Sequence, residues 1–110
     1  MKVWIRADGN EHIGTGHVMR CLAIAEAVEA AGVQVCFVMA DDAATKLVKS
    51  RDKKVRVLHT RYDRMEEELP VLTAVMEEEH PDMLLIDSYY VSDAYLERLT
   101  EQVWTAYIDD

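Results

Sequence analysis

Strand-like and helix-like segments alternate along the whole chain, and that alternation restricts the fold more than any other feature of the sequence. "KVWIRA" (2–7) reads as a short buried strand, and Asp8 to Gly16 as a loop. A helix is expected from about His17 to Ala31, with Cys21, Ile24 and Val28 at helical spacing among small alanines. Gly32 follows as a residue suited to a left-handed stop. "VQVCFVMA" (33–40) is too continuously apolar for a half-solvated strand, so it reads as buried on both faces. "DDAATKLVKS" (41–50) reads as a short helix, acidic at its start and basic at its end, as the helix dipole favours. "KVRVLH" (54–59) alternates like a strand nearer a sheet edge.

Residues 61–80 have a helical pattern with Pro70 in the way. Either a helix begins near Leu69 with the proline in its first turn, or two helices follow one another. A strand over 82–87, a helix over 92–102 with Ser92 as N-cap, and a strand over 103–109 complete the series. This order predicts a Rossmann-like α/β fold, a parallel sheet in three layers with helices on both faces. In such sheets ligands bind beyond the carboxyl ends of the strands, where the strand order reverses. The loops at 8–16 and 88–91 are therefore expected on one binding edge.

Size and charge narrow the classes further. The 110 residues make one domain, and 50% apolar with 30% charged residues is a globular composition. No apolar run approaches the roughly 20 residues of a membrane span. Met1-Lys2 enters a strand without a secretory leader, so a cytoplasmic location is the default expectation. Cys21 and Cys36 form no metal-type spacing and read as two buried thiols in a reducing compartment. The net charge is −9 and uneven: nine Lys/Arg stand against seven Asp/Glu in residues 1–60, and three against fourteen in 61–110. That acidic excess opposes nucleic-acid binding, because backbone phosphates would be repelled. The basic run "KLVKSRDKKVR" (46–56) reads as a solvated helix end and turn.

Polar chemistry is crowded in front of the first helix. In "IGTGH" (13–17), Gly14 and Gly16 allow a tight turn whose backbone N–H groups can face a ligand. The helix start behind it favours an anion or developing negative charge. The stretch is neither the GxGxxG dinucleotide fingerprint nor a Walker loop. His17 at the helix start reads either as a simple cap or as a neutral imidazole able to take a proton. Asp8 would orient that ring or cap the turn. In "DSYY" (87–90), Asp87 reads as a ligand-edge residue or a turn cap. One of Tyr89 and Tyr90 would stack on or hydrogen-bond a sugar while the other packs. Asp109-Asp110 resembles a third strand-end loop. His12, His17, Asp8 and Asp87 lack metal-site spacing, and His59 and His80 lie far along the sequence, so no metal and no cofactor is expected. No GxSxG occurs, which disfavours a serine nucleophile.

Taken together, "RADGNEHIGTGHVMRCLAIAEAV" resembles the opening of the UDP-sugar hydrolases of pseudaminic acid biosynthesis, and of related spore-coat polysaccharide proteins. The matching positions are Arg6, Asp8, Gly14, Gly16, His17, Arg20, Cys21 and Leu22, and the later "LLIDSYYV" and "YIDD" match in kind and order. The resemblance implies the amino-terminal half of a glycosyltransferase-B type architecture, in which two Rossmann-like halves face a cleft. It implies removal of UDP from a UDP-linked deoxy amino sugar by water, in surface-polysaccharide or nonulosonic acid synthesis, without a metal. His17 matches the family's base. Asp8 would orient it. Arg6, Asn10, Gly14, Thr15, Gly16 and Arg20 from the first loop and helix, with Asp87, Ser88 and Tyr89 from the later loop, are the substrate-facing residues expected. The partner implied is a carboxyl-terminal nucleotide-binding half, in the same or a separate chain, and the 110 residues alone are expected to be inactive or nearly so.

Two other readings stand beside this one. In a glycosyltransferase, His17 would deprotonate an acceptor hydroxyl instead of water. In a non-catalytic module, the domain would bind a nucleotide sugar, or pair with a subunit or a second copy as a homodimer.

Overall fold

A computed structural model describes residues 1–109 of the chain. Five strands and four helices alternate: β1 (Lys2–Ala7), α1 (Gly16–Ala30), β2 (Gln34–Met39), α2 (Thr45–Ser50), β3 (Lys54–Val57), α3 (Met65–Glu79), β4 (Met83–Asp87), α4 (Asp93–Thr100) and β5 (Trp104–Tyr107). All strand pairs are parallel, in the order β3-β2-β1-β4-β5. This is the Rossmann-like arrangement the alternation predicts. The order reverses between β1 and β4, where Ala7 lies in register with Asp87.

Strand periodicity sorts β1 onto two cores. Val3, Ile5 and Ala7 join Val18, Cys21, Leu22 and Ala25 of α1 and Val48 of α2 on one face. Trp4 points the other way and joins Leu72 and Met76 of α3 with Tyr95 and Leu99 of α4. Helices therefore cover both faces, as parallel strands buried on both sides require. The acidic excess of the second half lies on the outer surface of the latter pair of helices, where Glu66, Glu67, Glu77, Glu78 and Glu97 are exposed.

Several boundaries differ from the sequence reading. Asp41 and Asp42 precede α2 instead of opening it: Asp41 Oδ1 accepts the Ala43 N–H at 3.0 Å, an Asx turn that holds the chain outside the helix. The helix α3 runs unbroken from Met65 through Pro70. The proline forfeits one hydrogen bond, that to the Glu66 carbonyl, and both residues are exposed, so water can serve the freed oxygen. Three glutamates in its first turn complement the dipole. The stop at Gly32 is left-handed as expected, with φ at 89°. Ser92 caps α4 by accepting the Tyr95 N–H at 3.2 Å, and its hydroxyl donates to Glu66. Cys36 is half-buried, not sealed, while Cys21 is fully buried; both are free thiols. Asp110, half of the expected third strand-end loop, lies outside the described residues.

No helix among the described residues is long and apolar enough to cross a membrane.

Candidate functional site

The carboxyl edge of the sheet gathers the polar residues at the point where the strand order reverses. Helical spacing brings His17, Arg20 and Cys21 of α1 to one side of the helix, at i, i+3 and i+4. All three converge on Asp87, the last residue of β4. His17 Nδ1 lies 2.6 Å from Asp87 Oδ1. Arg20 grips the same carboxylate as a fork, Nε donating to Oδ2 at 2.8 Å and Nη2 to Oδ1 at 2.7 Å. The Cys21 thiol donates to Oδ2 at 3.5 Å.

Burial alone would raise the Asp87 carboxyl, but hydrogen bonds from Arg20 and His17 outweigh it and hold Asp87 below the usual carboxylate range. Asp87 is therefore an ionised acceptor. An ionised carboxylate can only accept, so the proton in the His17–Asp87 contact belongs to Nδ1, and Nε2 is the ring position that Asp87 does not engage. Nε2 is shielded from solvent and has no hydrogen-bond partner. Burial, and next the Asp87 charge, push the Cys21 thiol up to about 12, so it stays protonated and unreactive.

His17 is only 6% exposed, yet its surroundings are polar. A pocket of about 200 Å³ lies beside it, lined by Ile13, Gly16, His17, Arg20 and Tyr89. The Tyr89 ring meets the imidazole edge to face, with centroids 4.4 Å apart, and is itself 67% exposed. Gly16 opens α1, so the first N–H groups of the helix border the same pocket.

The loop that delivers His17 is held by backbone and side chain together. Asn10 and Gly14 exchange N–H···O bonds of 3.2 and 2.7 Å, with Gly14 at φ 73°, where a side chain would be strained. Asn10 Oδ1 also accepts the N–H groups of His12 and Ile13. Thr15, exposed, precedes α1 and caps it through its carbonyl, not its hydroxyl. Gly9 sits in a tight spot: a Cβ there would lie 3.1 Å from Val18 Cγ2, which would have to shift.

Three expected roles change. Asp8 does not reach the imidazole: Oδ2 accepts Arg6 Nη1 at 2.8 Å and Oδ1 accepts the Ala40 N–H at 2.8 Å. The carboxylate that orients His17 is Asp87. Arg6 does not face a substrate, being fully buried, with Nε and Nη2 donating to Glu68 at 2.8 and 2.7 Å. Glu68 in turn accepts the Tyr95 hydroxyl at 2.6 Å. Burial would lower the Arg6 guanidinium, but Glu68 and Asp8 raise it, so the charge persists inside the fold. Ser88, also buried, organises its own turn, its hydroxyl accepting the Tyr90 N–H at 3.2 Å. Of the two tyrosines, Tyr89 faces His17, while Tyr90 packs edge to face on Tyr62.

Glu68 was not singled out from the sequence, although a signal existed. It falls between Met65 and Leu72 on the buried stripe of α3, a position where a charge requires an internal partner. No group of three or more His, Cys, Asp or Glu residues that could hold a metal occurs among the described residues.

These features define a Rossmann-like α/β protein with an Asp–His pair at its topological switch point. No family model, curated protein or solved structure matches the chain.

Proposed function

We propose that this domain supplies the base-bearing side of a nucleotide-sugar hydrolase, removing UDP from a UDP-linked deoxy amino sugar in surface-polysaccharide or nonulosonic acid synthesis. The observation that carries the reading is His17 Nε2, partnerless beside a pocket while Nδ1 is fixed on Asp87. In this mechanism Nε2 takes a proton from water as the oxygen attacks the anomeric carbon. The bond from that carbon to the phosphate oxygen breaks, and UDP departs with the electron pair. Asp87 holds the tautomer and steadies the imidazolium, while Arg20 holds Asp87. Free N–H groups at the start of α1 favour the charge gathering on the departing phosphate. A carboxyl-terminal nucleotide-binding half, in the same or a separate chain, completes the cleft.

The test is UDP release with that half present. His17→Ala is expected to lower turnover by about 10²- to 10⁴-fold, the usual contribution of a general base. Undiminished release by the variant would remove His17 from the chemistry.

A further inference from the structure

The pocket beside His17 holds about 200 Å³, less than the roughly 300–1,000 Å³ typical of small-molecule sites. A whole nucleotide sugar must extend beyond it. On the other side of the same loop, a cavity of about 590 Å³ opens between the β1–α1 connection and the start of α2. It lies on the carboxyl edge of the sheet, where ligands of this fold bind.

Its lining has a definite chemistry. Ala44 and Leu47 give an apolar wall, with the Tyr62 ring beside them. Asn10 contributes an Nδ2 that is shielded from solvent and has no hydrogen-bond partner, a costly state for a donor unless a ligand relieves it. The Asp41 carboxylate is fixed by the Ala43 N–H on Oδ1, which leaves Oδ2 for a hydroxyl donor. Glu11 and Asp41 line the cavity and His12 is its one basic side chain, with no lysine or arginine, a lining that disfavours phosphate and carboxylate ligands. Hydroxyl acceptors, one amide donor and an apolar wall suit a ring that is apolar on its face and hydroxylated on its edge. Tyr62 of this cavity meets Tyr90, and the neighbouring Tyr89 meets His17 in the smaller pocket.

We infer that this cavity is a carbohydrate subsite that takes an uncharged saccharide ring, with Asn10, Asp41 and Tyr62 as its selecting contacts. The ring's place in a reaction rests on the hydrolase reading; its binding does not.

The test is a titration of the full chain followed by backbone amide NMR, using glucose, rhamnose and N-acetylglucosamine as neutral probes. Uridine, inorganic phosphate and glucosamine serve as the aromatic, anionic and cationic arms. At least one neutral sugar is expected to give saturable shifts at Asn10, Asp41, Ala43 and Ala44. Asp41→Asn keeps an acceptor for the Ala43 N–H and is expected to weaken that binding about tenfold, the effect of losing a charged hydrogen bond. His17→Ala should leave the affinity unchanged, which separates this result from any failure of the hydrolase reading. The inference is overturned if no neutral sugar gives saturable shifts there, if uridine, phosphate or glucosamine binds there more tightly, or if Asp41→Asn binds equally well.

Discussion

Asp87 is the residue on which the chemistry of the site turns, because a single carboxylate answers to His17, Arg20 and Cys21 at once. If it acts through the imidazole, its effect on turnover must vanish when the imidazole is gone. Asp87→Asn alone is expected to slow UDP release substantially, and the double variant with His17→Ala to be no slower than His17→Ala by itself. A thermodynamic cycle on the initial rates measures this, and additive losses would show that Asp87 acts independently of His17. The placement of His17 was legible in the sequence, since a histidine directly after a glycine-rich turn and before a helical pattern falls in the first turn of that helix. The identity of its partner was not. Asp8 is nearer in sequence, but strand alternation turns it to the Arg6 side of the sheet, whereas Asp87, in register with Ala7, ends β4 on the α1 side. Sequence distance gives no measure of proximity across a parallel sheet.

At the scale of elements, the buried ion cluster binds the fold around the site. Arg6 extends from β1 to Glu68 of α3, Tyr95 of α4 reaches the same glutamate, and Asp8 joins the end of β2 through Ala40. Arg6→Ala would leave two carboxylates buried without their cation. It is expected to destabilise the domain by about 3–5 kcal/mol, read as a lower urea midpoint. Arg6→Lys should recover only part of that, since an ammonium cannot reproduce the two-pronged contact with Glu68. A midpoint unchanged in Arg6→Ala would mean that the cluster adds nothing to stability. Elements were read well where periodicity was strong, as in β1 and α1, and less well where side chains compete with the backbone. The Asp41 side chain withholds 41–44 from α2, and α3 runs through Pro70 where Glu66 and Pro70 are both exposed and water can replace the lost bond. Both outcomes depend on local hydrogen bonds that a hydropathy pattern does not record.

For the molecule as a whole, the alternation of segments was enough to specify a parallel sheet with both faces covered, and the reversal of strand order located the site. The same burial that makes this three-layer arrangement also sets how its stability varies with pH. Asp87 is held below its ordinary range, so its contribution is complete above the normal carboxylate value and is lost as pH falls through the lower folded value. The alkaline side has the opposite origin. Cys21 is held up at about 12 by burial and by Asp87, against an ordinary value of 9.0. Unfolding therefore releases a proton once pH exceeds about 9, and stability falls by about 1.4 kcal/mol per pH unit from this thiol until about pH 12. Tyr95, raised by burial and then by the Glu68 charge, adds a second such loss above its ordinary 10.0. Half-buried Cys36 shifts in the same direction, again chiefly through burial. Urea melts across this range should show stability declining ever more steeply, with Cys21→Ala flattening the curve just above pH 9 and Tyr95→Phe flattening it only above pH 10. If Cys21→Ala leaves the slope as it is, the thiol ionises as easily inside the fold as outside it, and the packing of α1 against Asp87 is looser than its 3.5 Å contact implies.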